Sequence, residues 1–279
     1  MTKGVCSPIA NEKTYTCYSN DALHKLKELW NARHPDAKII TNIEKEIWNA
    51  LKQHLSKVCE SETCWLRQKF VDFKLKNELL NYTFAPFSPQ TWTTNPTEWL
   101  TSVDLESVLK QYEKKHKNFI FIGPSPIDFD KQMLYNQCVW DELCKFNLQS
   151  LLKKGKTKIG IIFNTDPHHK DGAHWISMFI DIKKKYIFFF DSVGDKPPKE
   201  IGKLIARIES QGKRLNIDFN VIINTKSHQR QDTECGIYSL FLIIELLESK
   251  KNPEYFLTHR IPDKEMEKLR KKYFNQSSV

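Results

Sequence analysis

Apolar side chains near the start of the chain recur three and four positions apart. Leu23, Leu26, Leu29 and Trp30 share one helical face, behind a cap offered by Ser19 or Asn20 and ahead of Pro35. Thr41 is placed to cap a second helix, whose stripe is Ile43, Ile47, Trp48, Leu51, Leu55 and Val58. A third apolar segment runs through Trp65, Leu66, Phe70 and Phe73. Pro86, Pro89 and Pro96 then stand among Ser and Thr, which marks an extended crossing. A domain boundary near residue 85 follows: a helical arm over 1–85 and a larger domain over 86–279.

In the larger domain the period changes. Residues 101–115 repeat as a helix through Val103, Leu105, Val108, Leu109 and Tyr112, and 118–123 is a strand candidate. Residues 131–151 carry a helical pattern that includes Cys138 and Cys144, which read as core. Three β-rich runs follow at 158–165, 174–182 and 185–191, the last two close enough for a hairpin. A helix at 199–211 and a strand at 217–224 complete the sheet. Residues 235–249 are apolar almost all round, the mark of a buried central helix. A basic amphipathic helix over 263–274 closes the chain. Strands in the middle with helices on both sides in sequence make this an α+β fold.

Composition narrows the class. Forty per cent hydrophobic residues in 279 exclude a wholly disordered chain. No apolar run approaches the length of a membrane span, and the first residues lack the apolar stretch of a secretory signal, so no membrane partner is expected. A formal net charge of +9 favours an acidic partner such as nucleic acid, although the basic runs are Lys-dominated and lack interleaved aromatics. Seven cysteines leave at least one unpaired, and a reducing compartment is the default expectation.

The chemistry converges on Cys235. It follows the polar stretch KSHQRQDTE and opens the buried helix. There a sulfur meets unpaired N–H groups and the positive end of the helix dipole, which favours the nucleophilic thiolate. Gly236 behind it permits close backbone approach. Among nine histidines, His174 is best placed as the base: it opens a strand after Asp171-Gly172-Ala173. The neighbouring strand ends in Asp191, so His and Asp meet at one sheet edge and the carboxylate can orient the imidazole. The Cys235 amide and an upstream side-chain amide, Gln229 or Gln231, can stabilise an oxyanion. Each of these residues alone has an ordinary structural explanation; the four roles together make a site.

The string GAHWISMFIDI…KKYIFFFDS…HQRQDTECGIYSLF resembles the adenain/Ulp1-type cysteine proteases, in which His, Asp and Cys come in that order with a Gln upstream of the Cys. The resemblance implies a Ulp1/adenain-like core: a central mixed sheet, a buried Cys-bearing helix and an N-terminal helical arm. It implies His174 as general base, Asp191 as orienting acid, Cys235 as nucleophile and Gln229 as oxyanion donor, with Gln231 a rival. The segment EWLTSVDLESVLKQYE is similar to the family helix whose Trp, with the Trp after the catalytic His, clamps a Gly-Gly segment. The matching positions are Trp99 and Trp175. Two facing indoles leave a slot that only glycine passes. TECG in place of the cellular DCG points to the viral branch, the polyprotein-processing proteases of large cytoplasmic DNA viruses. That branch implies cleavage after Gly-Gly in capsid or core polyproteins in the virion and the viral factory. It also implies DNA as a possible activating polyanion and no cofactor. Two other readings stand beside it: removal of SUMO or ubiquitin-like modifiers, and a basic nucleic-acid-binding virion protein.

Cys6, Cys17, Cys59 and Cys64 form two pairs in the arm. Their spacings are not those of a zinc knuckle, so buried thiols or disulfides are expected and no metal. His168 and His169, with Asp166 near, read as a surface loop.

Overall fold

The computed structural model describes residues 3–10 and 13–276. The chain divides into two compact units, Met1–Gln90 with Lys271–Val279, and Thr91–Arg270. The first division falls after Gln90. The chain's end groups with the arm, where the Asn275 side chain accepts from the Val5 N–H and donates to the Val5 and Ala85 carbonyls.

The first unit is helical: α1 (Asn20–Arg33), α2 (Glu44–Leu55), α3 (Glu62–Trp65) and α4 (Phe73–Thr83). Ser19 caps α1 by accepting from the Ala22 N–H at 3.1 Å. Thr41 does not cap α2 as expected. Ile43 holds that position, and the Thr41 hydroxyl instead accepts from its N–H at 3.1 Å. Leu23, Leu26, Trp30, Ile47, Leu51, Leu55 and Trp65 form the arm's core. Two disulfides join Cys6 to Cys17 and Cys59 to Cys64.

The second unit is built on a sheet. Its elements are α5 (Ser102–Lys115), β1 (Phe119–Pro126), α6 (Asp141–Cys144), α7 (Leu148–Lys153), β2 (Lys158–Asn164), β3 (Trp175–Asp181) and β4 (Tyr186–Phe190). Then come α8 (Lys199–Lys213), β5 (Asn220–Ile223), α9 (Cys235–Leu247), α10 (Pro253–Thr258) and α11 (Asp263–Tyr273), whose last three residues count with the first unit. The five strands lie in sequence order. β1 pairs β2 in parallel, β2–β3 and β3–β4 are antiparallel, and β5 returns parallel to β4. The sheet is therefore mixed and the class α+β.

Helices cover both faces, which is why β3 and β4 are buried throughout. One face of β3 sends Ile176, Met178 and Ile180 into a core with Ile201, Leu204, Ile205 and Ile208 of α8. The other face receives α9. Gly160 of β2 makes room for it: a Cβ there would lie 2.9 Å from the Ile243 Cγ2. Thr101 starts α5 with a capping box closed by Asp104.

The helical pattern over 131–151 is not one helix. Tyr135 and Asn136 adopt φ of 61° and 57°, which ends any helical run, and a third disulfide joins Cys138 to Cys144. Those two cysteines are thus bonded to each other and not core thiols. The arm cysteines take the disulfide alternative of the two expected, so the core reading fails only for Cys138 and Cys144, and the free cysteine is Cys235.

Candidate active site

The β3–β4 hairpin sets the first two groups. His174 directly precedes β3, and its carbonyl still accepts from the Thr165 N–H of the neighbouring chain segment at 2.9 Å. The turn before it is fixed by Asn164, whose Oδ1 accepts from Ala173 at 3.2 Å and from Asp166 at 2.9 Å. Gly172 is needed there: its φ is +102°, and a Cβ would press to 2.6 Å on the Asn164 amide. Asp191 directly follows β4. Its Oδ1 accepts from the Val193 N–H at 2.9 Å, and its carbonyl accepts from the Asn224 amide at 2.8 Å. Because the strands are antiparallel, the start of one and the end of the other share an edge.

At that edge the His174 Nε2–H donates to Asp191 Oδ1 at 2.9 Å. The carboxylate can only accept, which puts the proton on Nε2 and leaves Nδ1 without it in the neutral ring. The third group is Cys235, the buried first residue of α9, whose influence on the ring adds to the rise in its pKa. Burial alone would lower the imidazole pKa. The Asp191 hydrogen bond, then Cys235 and the Asp191 charge, outweigh it and raise the value to about 10. His174 keeps 21% of its side chain exposed, while Asp191 and Cys235 are buried, so the ring is the most accessible of the three.

Gln229 is buried and Gln231 exposed. The Gln229 backbone N–H donates to the Ser192 carbonyl at 2.9 Å, and the Ser192 hydroxyl donates to Gln229 Oε1 at 2.7 Å. Gln229 Nε2 donates to the Gln231 carbonyl. Gln229 is thereby tied to Ser192, the residue after Asp191, and to the Gln231 backbone. Ser192 and Asn164 were not singled out by sequence. Each sits next to a strand end that was, and nothing in composition marks either.

Trp175 is 8% exposed, and its Nε1–H donates to the Leu100 carbonyl at 2.9 Å. Trp99, one residue before Leu100, is 41% exposed. Leu100 also packs on Gly236, where a Cβ would lie 3.0 Å from the Leu100 Cβ. The Trp99–Leu100 step thus lies between Trp175 and the start of the Cys235 helix. Gly236 is small because a side chain of this unit already occupies the space.

His168, His169 and Asp128 bring ligand atoms within 4.8 Å of one another. The carboxylate partner is Asp128, not Asp166: His168 Nδ1 pairs with Asp128 Oδ2 at 2.7 Å, and its backbone N–H with Oδ1 at 2.8 Å. His169 meets the His168 ring edge-on, with centroids 5.3 Å apart. Among the described residues no helix is long and apolar enough to cross a membrane.

The chain is similar to known viral proteases. It is 29% identical over 299 residues to a protein of Acanthamoeba polyphaga mimivirus named as a thiol protease, covering 98% of this chain and 94% of that one. It is 29% identical over 257 residues to the SUMO-1 cysteine protease of African swine fever virus, isolate Pig/Kenya/KEN-50/1950, covering 86% and 91%. The crystal structure of an African swine fever virus protease has the same fold, with a TM-score of 0.71 at 22% identity over 98% of this chain and 96% of that one. Residues 105–278 match the Ulp1 protease family, C-terminal catalytic domain, and the chain belongs to that family of cysteine proteases.

Proposed function

We propose that Cys235, His174 and Asp191 are nucleophile, general base and orienting acid of an endopeptidase that cleaves after Gly-Gly in viral polyproteins during virion maturation. The single observation that carries the reading is the His174–Asp191 hydrogen bond at 2.9 Å, with the buried free thiol of Cys235 close enough to raise the same ring's pKa. Nδ1 takes the thiol proton, and the sulfur attacks the scissile carbonyl carbon. The oxyanion accepts from the Cys235 N–H, which has no partner within the helix, and from the Gln229 amide. The Nδ1 proton then passes to the leaving amine. Water, deprotonated by the same nitrogen, releases the acyl group and restores the thiol. Trp99 and Trp175 wall the approach, so the two residues before the cleaved bond are glycines.

A second reading is removal of a ubiquitin-like modifier, favoured by the name SUMO-1 cysteine protease carried by the African swine fever virus relative. Both substrate classes present Gly-Gly. Parallel assays on Gly-Gly-X peptides and on fluorogenic SUMO and ubiquitin conjugates separate them. Cleavage of the peptides supports the polyprotein reading; cleavage of a conjugate alone replaces it. The net charge of +9 supports DNA as an assisting polyanion, in which case added DNA raises turnover at low salt and the gain vanishes at high salt.

A further inference from the structure

Residues 228–234 carry Gln229 near one end and deliver Cys235 at the other. The segment from Ile261 to Arg270 fastens this loop at three places. The Ile261 N–H donates to His228 Nδ1 at 3.2 Å. The Arg230 N–H donates to the Asp263 carboxylate at 3.1 and 3.3 Å, and the Tyr238 hydroxyl of α9 donates to the same group at 3.1 Å. The third fastening is Arg270. Its Nε donates to both Glu234 oxygens at 3.0 and 2.9 Å, and its Nη2 to the Thr233 carbonyl at 3.1 Å.

The same guanidinium also holds a second backbone. Nη1 donates to the Glu98 carbonyl at 2.7 Å, Nη2 reaches the Thr97 carbonyl at 3.4 Å, and the cation lies 4.6 Å from the centre of the Trp92 ring. Glu98 precedes Trp99 as Glu234 precedes Cys235. Both charges are out of water: Glu234 is 0% and Arg270 4% exposed. A buried ion pair is a poor source of stability, because desolvation offsets most of the attraction. Its distinctive contribution here is geometric: one rigid planar fork spans two loops.

We propose that Arg270 is a positioning residue that sets the spacing between the sulfur and the glycine slot. It ties the backbone entering Cys235 to the backbone entering Trp99. The inference rests on the proposed roles of Cys235, Trp99 and Trp175. Lysine keeps the charge for Glu234 but lacks the fork, so the two loops separate. The glycine slot then widens and the oxyanion donors lose their aim.

The test compares the wild type with Arg270→Lys and with the double variant Glu234→Leu/Arg270→Met, which leaves no orphan charge buried. Three quantities are read: kcat/KM on a Gly-Gly-X peptide, the preference for that peptide over its Gly-Ala-X analogue, and the rate at which iodoacetamide alkylates Cys235. Turnover and preference are each expected to fall by about tenfold or more, while alkylation stays within about twofold, because a small alkylating agent uses neither slot nor oxyanion donor. An unchanged preference, or alkylation falling in step with turnover, overturns the proposal. A wild type that alkylates at Cys235 yet cleaves no Gly-Gly peptide removes the proposed function, and the role of Arg270 with it.

Discussion

The Ser192 hydroxyl donates to Gln229 Oε1 at 2.7 Å while the carbonyl of Gln231, which can only accept, takes a hydrogen bond from Gln229 Nε2. The two contacts fix which end of the amide carries the hydrogens. One N–H remains for an oxyanion. Gln229→Ala therefore lowers kcat by about 10²–10³-fold, the usual loss for one such donor. Alkylation of Cys235 is unaffected. A variant that keeps its turnover reassigns the donor role.

The pH profile carries the mark of Asp191. His174 is held up to about 10 against the pull of burial. With its folded value above the ordinary value of about 6.5, the pair stabilises the protein fully below that pH and loses the contribution as pH rises toward 10. Asp191→Asn removes the largest raising cause and leaves burial, so the alkaline limb of kcat/KM moves to lower pH. The measurement is a pH–rate series on both proteins; coincident alkaline limbs refute the assignment.

Acid stability has a different source. His228 is fully buried against Phe190, and burial first, then the Lys226 charge, lowers its pKa to about 4. Its folded value lies below the unfolded value of about 6.5, so its contribution is complete above that pH and is lost as pH falls toward 4. Thermal melts between those limits show a steeper decline for the wild type than for His228→Phe.

Thiol chemistry gives a direct count. Six cysteines are paired and Cys235 is free. Mass spectrometry after iodoacetamide without reductant finds one carbamidomethyl group per chain, at Cys235. Cys6→Ser/Cys17→Ser destabilises the arm by about 2–4 kcal/mol, read as a lower denaturant midpoint.

A methyl group tests the seat of the nucleophile. At Gly236 an added Cβ meets Leu100 at 3.0–3.3 Å, and Leu100 is held by the Trp175 indole. Gly236→Ala costs about 1–3 kcal/mol of stability through overpacking. It also raises KM for Gly-Gly peptides, because Trp99 shifts with Leu100. An unaltered KM would separate that step from substrate binding.

Much of this fold is written locally. The run from Cys235 to Leu247 is apolar on almost every side, which marks an interior helix, and the β3–β4 hairpin shows in the apolar strings around Lys183–Lys185. His174 and Asp191 were legible because each abuts such a string. The 131–151 stretch was not, since its apolar spacing fits a helix while left-handed residues and a disulfide decide otherwise. α10 was overlooked despite Asn252 capping it and Pro253 at its first position. Arg270 was hidden in a basic amphipathic pattern: its partner Glu234 lies 36 residues away, and no local rule reports such a pairing.

Gly160 lies in mid-strand under α9, where even one methyl would collide with Ile243 at 2.9 Å and with the Phe119 ring at 3.0 Å. That bare stretch of backbone is a depth stop. α9 sinks until Ile243 touches the strand, and the sulfur at its tip descends by the same amount. A single carbon placed in the middle of the sheet would lift the whole rod and carry its reactive atom away from a hairpin that stays put.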